Sequence, residues 1–150
     1  MARWGEVQQE VPELAERVRG LFGRGINKTI ATIRADGAPR ISGTELEFEA
    51  GEVTLGMMGG SRKLADVRRD PRVAIHCPTP DATTADWPGD AKLAGSLVAV
   101  PPPGENPIAE AGYFRLDVTE VVVTTVDQAK GLLIVESWHP GRGSERVERT

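Results

Sequence analysis

Arg62 and Lys63, standing directly after Gly59-Gly60-Ser61, are the residues of this chain best suited by type and spacing to hold a ligand. They follow a strand-like run, Val53 to Met58, and open a short amphipathic stretch, Leu64 to Arg72. Backbone N–H groups at a helix N-terminus carry partial positive charge, so this geometry favours an anion and most readily a phosphate. The two glycines would let the backbone approach an oxyanion, Ser61 could cap the helix or donate its hydroxyl, and the two cations supply a planar fork and a point charge. The plainer description is equally compatible with the spacing: an N-cap serine followed by two solvated cations.

Three other groups could join such a site. In Arg40-Ile41-Ser42-Gly43-Thr44-Glu45, a glycine inside a strand marks either the close approach of a ligand or a β-bulge. Met57 and Met58 could pack on a planar aromatic ligand, since thioethers favour such contacts, or could simply fill the core. Near the C-terminus, Trp138, His139 and Arg142 sit around a Pro-Gly turn. They could edge a bound ring, with His139 as a proton donor, or Trp138 could cap the fold while Arg142 faces water.

The rest of the chain lacks the residues for unaided chemistry. One cysteine, Cys77, excludes an internal disulfide and a cysteine-cluster metal site, and with only two histidines no nucleophilic Cys/His arrangement can be built. No Ser/His/Asp grouping, paired-carboxylate signature or metal-ligand spacing is present, so no metal is expected. A bound organic cofactor that carries the reaction accounts for that pattern.

The elements that would position these residues are mostly strands. Pro12 suits a first helical turn, and Val11, Leu14, Ala15, Val18, Leu21 and Phe22 share one face of a helix over residues 12–24. Thr29 to Arg34 and Pro39 to Phe48 flank Asp36-Gly37, a hairpin signal, and a second turn at Glu49 to Glu52 returns the chain into Val53 to Met58. These three strands read as a meander that delivers the loop. Val73 to Cys77, Asp90 to Val100, Tyr113 to Val126 and Leu132 to Trp138 are further strands, the last two joined across Asp127 to Gly131. Pro78 to Gly89, with Trp87, reads as a surface loop of the kind that covers a site. The expectation is a single domain, mainly β: a six- to seven-stranded antiparallel closed or split barrel with an N-terminal helix and a short helix after the phosphate loop. Alternating βαβ units are missing, which excludes a Rossmann fold.

A formal net charge of −4, with arginines dispersed among carboxylates, argues against a nucleic-acid partner. No apolar run approaches the roughly 18 residues of a membrane span and the N-terminus has no apolar signal region, so a cytoplasmic location is expected.

From about Ile30 to His76, the order strand, Gly-Ser-Arg-Lys, short helix, Asp70-Pro71-Arg72, apolar strand resembles the pyridoxamine 5'-phosphate oxidase-like split-barrel family. The resemblance implies that Arg62 and Lys63 hold the phosphate of a flavin, that Arg40 joins them, and that Ser42, Gly43, Thr44 and Ser61 lie along the ring or its ribityl chain. It also implies a homodimer with the cofactor between subunits, where Trp138 and Arg142 approach it. The cofactor would be FMN or the deazaflavin coenzyme F420, whose longer anionic tail Arg68, Arg69 and Arg72 could meet. The function implied is hydride transfer to or from a small organic substrate. A non-catalytic flavin- or haem-binding carrier is the alternative. Two departures limit the likeness. Glu45 stands where the oxidase proper has a lysine, which disfavours a phosphorylated substrate, and Pro101 to Gly112 is too short and proline-rich for the helix that walls the substrate pocket in that family.

Overall fold

Val11 and Pro12 separate two short N-terminal helices, α1 (Trp4–Glu10) and α2 (Pro12–Phe22), where the sequence predicts one. The Glu6 carboxylate reaches back to accept the Arg3 N–H at 2.7 Å, which fixes the start of α1. Pro12 then begins α2 because its preset φ and missing N–H cost nothing in a first turn. Leu14, Ala15, Val18, Leu21 and Phe22 are buried, the stripe expected from their spacing.

The computed structural model describes residues 1–79, 86–104 and 108–150. Following α2 come β1 (Lys28–Ile33), β2 (Pro39–Thr44), β3 (Glu47–Glu49), β4 (Glu52–Met57), α3 (Arg62–Arg69), β5 (Arg72–His76), β6 (Asp90–Ala99), β7 (Gly112–Asp127), β8 (Leu132–His139) and β9 (Gly143–Arg149). Among the described residues these make one nine-stranded antiparallel sheet, two strands more than the upper expectation. The path β2-β1-β5-β6-β7-β4-β3 does not close on itself, and β8 and β9 branch from β7, which gives a split barrel rather than a closed one. No helix among the described residues is long and apolar enough to cross a membrane.

The Asp36-Gly37 hairpin forms as read, with Gly37 at φ 85° and Lys28 to Ile33 paired in register with Thr44 to Pro39. The strand expected over 39–48 does not run through. It breaks at Glu45-Leu46, where Leu46 turns into the core, and β3 then pairs with β4 alone. Consequently β4 lies beside β7 instead of beside β2, and the expected three-strand meander is not formed. The segment after Trp138, read as a tail, is the turn of a β8–β9 hairpin. Most of the loop expected at Pro78 to Gly89 lies outside the described residues. Of the stretch 101–111, the described residues contain no helix.

β7 is the strand that both halves share. β6 runs along one edge from Phe114 to Thr124, while the opposite edge takes β4 at Gly112 to Arg115 and β8 at Val121 to Asp127. Between them Ala2 bridges Val118, its N–H donating to the Val118 carbonyl at 2.9 Å. In the same region the β6–β7 register slips: Ala94 faces Glu120 and Gly95 faces Val118, leaving Thr119 as the extra residue of a bulge. A Cβ at Gly95 would lie 1.9 Å from the Asp117 carbonyl oxygen, so only glycine fits. Gly95→Ala is therefore expected to destabilise the fold by about 3 kcal/mol through overpacking. Gly20→Ala, on an exposed helix position with nothing within 4 Å of the new methyl, should stabilise by roughly 0.5–1 kcal/mol. Thermal midpoints of the two variants against the parent check both signs.

Candidate functional site

β4 ends at Met57, and Met58 to Gly60 turn the chain into α3. The glycines of this turn serve the fold first. Gly60 sits at φ 77°, and a Cβ at Gly59 would lie 2.8 Å from that of Glu110. Ser61 caps α3, its Oγ accepting the Leu64 N–H at 3.3 Å. The N–H groups of the first turn that precede Leu64 have no partner within the helix and remain as donors at its positive end.

A cleft of about 540 Å3 opens beside this turn and brings together five of the candidate residues: Gly43, Thr44, Met57, Met58 and Lys63. Gly43 contributes an edge of β2 where an added Cβ would meet nothing within 4 Å, so the glycine leaves open space rather than relieving a clash. Met57 is 2% exposed and belongs to the core, whereas Met58 is 63% exposed at the cleft. Lys63 bends over the cleft and donates from Nζ to the Gly43 carbonyl at 2.5 Å. Arg62 is exposed and has no ion-pair or hydrogen-bond partner among the described residues. Asn27, Gly56, Ile108, Ala111 and Tyr113 complete the lining.

Arg40 and Ser42 lie on the partly buried face of β2, which carries Thr44 as well. Arg40 is anchored from below: its Nε donates to Asp66 Oδ2 at 2.7 Å. Thr32 Oγ1 donates to the same oxygen at 2.7 Å, and Arg69 Nη2 donates to Oδ1 at 3.1 Å and to the Ile33 carbonyl at 2.7 Å. Asp66 is only 3% exposed. Hydrogen bonds from Arg40, against the opposing cost of burial, and further ones from Thr32 and Arg69 hold its carboxyl at about 2, below the ordinary 3.8. Asp66 is absent from the candidates read from sequence. The local sequence offered only Arg69, three residues on, as a partner; Arg40 and Thr32 are remote in the chain.

The C-terminal candidates are elsewhere. Trp138 is 1% exposed in the core and its indole N–H donates to Glu10 Oε2 at 2.9 Å. It pairs with Val121 in β8–β7, nine residues along β7 from the end that meets Met57. Arg142 is exposed on the β8–β9 turn. Neither lines the cleft, because β8 continues the sheet away from β4. His139 Nε2 lies 3.0 Å from Glu120 Oε2, and His76 Nδ1 donates to the Cys77 carbonyl at 2.7 Å. Burial pushes the Cys77 thiol up, which removes it as a nucleophile. Of the arginines considered for a longer anionic tail, Arg69 is bound to Asp66 and Arg72 to Asp70, and Arg68 alone is unpartnered among the described residues.

A second cleft, of about 480 Å3, adjoins the first and shares Glu45, Gly56 and Tyr113 with it. Glu45, Glu47, Glu49 and Glu52 line it over an apolar floor that includes Leu55, Val100 and Phe114, with no lysine or arginine in the lining. The first cleft thus carries Lys63 and Glu45, the second four glutamates of which Glu52 is paired with Arg3 at 2.6 Å, and Glu45 stands at their junction.

No family model matches the chain, and no curated protein matches it. Solved structures do. PhzG from Burkholderia lata 383, solved with tetrahydrophenazine-1-carboxylic acid, is 10% identical, with a TM-score of 0.68 over 97% of this chain and 92% of its own. A pyridoxamine 5'-phosphate oxidase-related, FMN-binding protein from Nostoc punctiforme PCC 73102 is 12% identical, with a TM-score of 0.64 over 100% and 98%. An F420 reductase is 17% identical, with a TM-score of 0.54 over 67% and 92%. At these identities the likeness is one of fold, and the fold is that of the pyridoxamine 5'-phosphate oxidase-related split barrels.

The Asp66 cluster carries a pH signature. The folded-state value lies below the ordinary one, so the stabilisation is complete above about pH 5, where the unfolded carboxylate is ionised. It is lost as pH falls from 3.8 toward 2. In thermal melts, the gap between the parent and Asp66→Asn should be constant from pH 5 to 8 and should shrink steadily below pH 4.

Proposed function

We propose that the chain binds a phosphate-bearing flavin-type cofactor, FMN or the deazaflavin coenzyme F420, and works as an oxidoreductase on a small organic substrate. The observation that carries this reading is Lys63 in the lining of the cleft, in the first turn of α3, with the exposed and unpartnered Arg62 directly before it in the chain. Such donors suit a phosphate, and the open edge at Gly43 with Met58 and Tyr113 leaves a slot for a planar ring. The fold shared with FMN-binding and F420 reductase structures supports the same class of ligand.

In this reading Arg62, Lys63 and Arg40 hold the phosphate, while the hydroxyls of Ser42, Thr44 and Ser61 line the ribityl chain. Met58, Ile108 and Tyr113 shield the ring from water. A flavin-type ring, when bound, supplies hydride transfer. The acidic cleft beside the site would receive the second substrate. Glu45, Glu47 and Glu49 there, with Glu52 paired to Arg3, repel a phosphate dianion, so a neutral or cationic substrate is favoured over pyridoxamine 5'-phosphate. The reading includes a homodimer: Arg142, remote from the cleft of its own chain, would then contribute to the cleft of a second copy.

Absorbance and fluorescence titration with FMN and, separately, F420 tests the central claim. Tight binding of one is expected, and the double change Arg62→Ala with Lys63→Ala should weaken it at least tenfold for each charge-assisted hydrogen bond removed, from roughly 1.5–3 kcal/mol apiece. Retention of parental affinity by that variant, or binding of neither cofactor by the parent, overturns the proposal. With the bound cofactor reduced, pyridoxamine 5'-phosphate should compete no better than buffer for the acidic cleft, which inhibition assays against any accepted substrate can read.

A further inference from the structure

Arg40 commits only one corner of its guanidinium to the fold. Its Nε donates to Asp66, while its two Nη groups, with four N–H between them, have no partner among the described residues. Asp66 is the opposite case: it is buried, Arg40 and Thr32 donate to one carboxylate oxygen and Arg69 to the other, and an ionised carboxylate has no donor to offer an anionic ligand. Whatever Asp66 does for the cleft, it does through Arg40.

We infer that Asp66 is a positioning residue for the cofactor phosphate: it grips Arg40, which lies three residues before the cleft residue Gly43 on β2, by Nε from inside α3 and so holds both Nη groups in one orientation. The inference rests on the phosphate reading given above. Its geometry is economical, because α3 holds β2 at two points. Lys63 in its first turn meets the Gly43 carbonyl, and Asp66, one turn further on from Arg62, meets Arg40. Arg40, Arg62 and Lys63 are thereby tied to one eight-residue helix and keep their spacing as a unit. A free arginine would instead have to be ordered when the ligand arrives.

The residue type follows from the donors. An ionised carboxylate accepts on both oxygens, whereas an asparagine must turn its NH2 toward either the Arg69 side or the side of Arg40 and Thr32, setting donor against donor. Two opposing effects then give the substitution a diagnostic sign. Electrostatics alone says that removing a negative charge beside an anion site tightens binding. Positioning says that releasing Arg40 weakens it.

The experiment titrates FMN and F420 fluorescence against the parent, Asp66→Asn, Arg40→Lys, Arg40→Ala and Arg40→Ala with Asp66→Asn, with thermal melts in parallel. Asp66→Asn should weaken the bound cofactor roughly tenfold, the usual scale for loosening the partner that orients a ligand-holding group, and should have no such effect in the Arg40→Ala background. Arg40→Lys keeps the charge and can still pair with Asp66, yet it cannot hold Asp66 and a phosphate through separate corners, so it should bind as weakly as Arg40→Ala. Thr32→Val removes one hydrogen bond to Asp66 without freeing Arg40; it should lower the thermal midpoint and leave affinity unchanged. Unchanged or tighter binding by Asp66→Asn, an equal loss in the Arg40→Ala background, or parental affinity in Arg40→Lys overturns the inference while leaving the phosphate site standing. If Asp66→Asn does not fold, Arg40→Lys decides. Binding of neither cofactor by the parent overturns the phosphate reading itself.

Discussion

A β-strand has two edges, and β7 must serve three neighbours besides the N-terminal segment. β6 takes one edge from Phe114 to Thr124, so β4 and β8 share the other, β4 at Gly112 to Arg115 and β8 at Val121 to Asp127. The bulge at Thr119 makes the change of partner feasible by adding local twist, and Gly95 removes the side chain that the Asp117 carbonyl would strike. The gap left on the shared edge is closed by Ala2, after which Trp4 goes straight into the core. Everything that defines the cleft depends on this division. It sends β4 toward the Gly112 end of β7, where the loop and α3 follow, and β8 toward the far end.

That division also explains the distribution of charge. The end of β4 hands the chain to α3, whose first turn gathers cations. β3 and the start of β4 gather Glu47, Glu49 and Glu52 around the adjoining cleft. A strand of six residues therefore separates a basic end from an acidic one, and the junction residue, Glu45, lies where β2 gives way to β3. Among the described residues Asp66 is the buried carboxylate, and each of its oxygens has a donor, so burial of the charge is offset.

What the sequence conveyed well was local chemistry. Asp36-Gly37, Pro12 and the Ser61 cap each act through the next few residues, so a reading of short windows finds them. It conveyed less where long-range pairing decides. Nothing local to Glu45-Leu46 announces that the strand ends there, because the cause is the competing demand of β7 for β4. Trp138 is another such case: a tryptophan near a Pro-Gly turn suits a ligand site, but the β7–β8 register places it in the core with Glu10 as its partner. Asp66 was hidden for a related reason. Its meaning lies in Arg40, 26 residues earlier, which the chain brings alongside only once α3 packs on β2.

β9 escaped for a different reason, and that reason bears on how the molecule behaves in a crowded solution. Gly-Ser-Glu-Arg-Val-Glu-Arg shows none of the apolar alternation that marks a strand, yet it pairs along the whole of β8 and, among the described residues, has no neighbour beyond. An outermost strand offers a row of unsatisfied backbone donors and acceptors to any passing chain. Placing Glu145, Arg146, Glu148 and Arg149 along it surrounds that row with charge that a second strand would have to strip of water. The polarity that made β9 illegible is thus what lets a branched, unclosed sheet end in water without recruiting copies of itself into an aggregate.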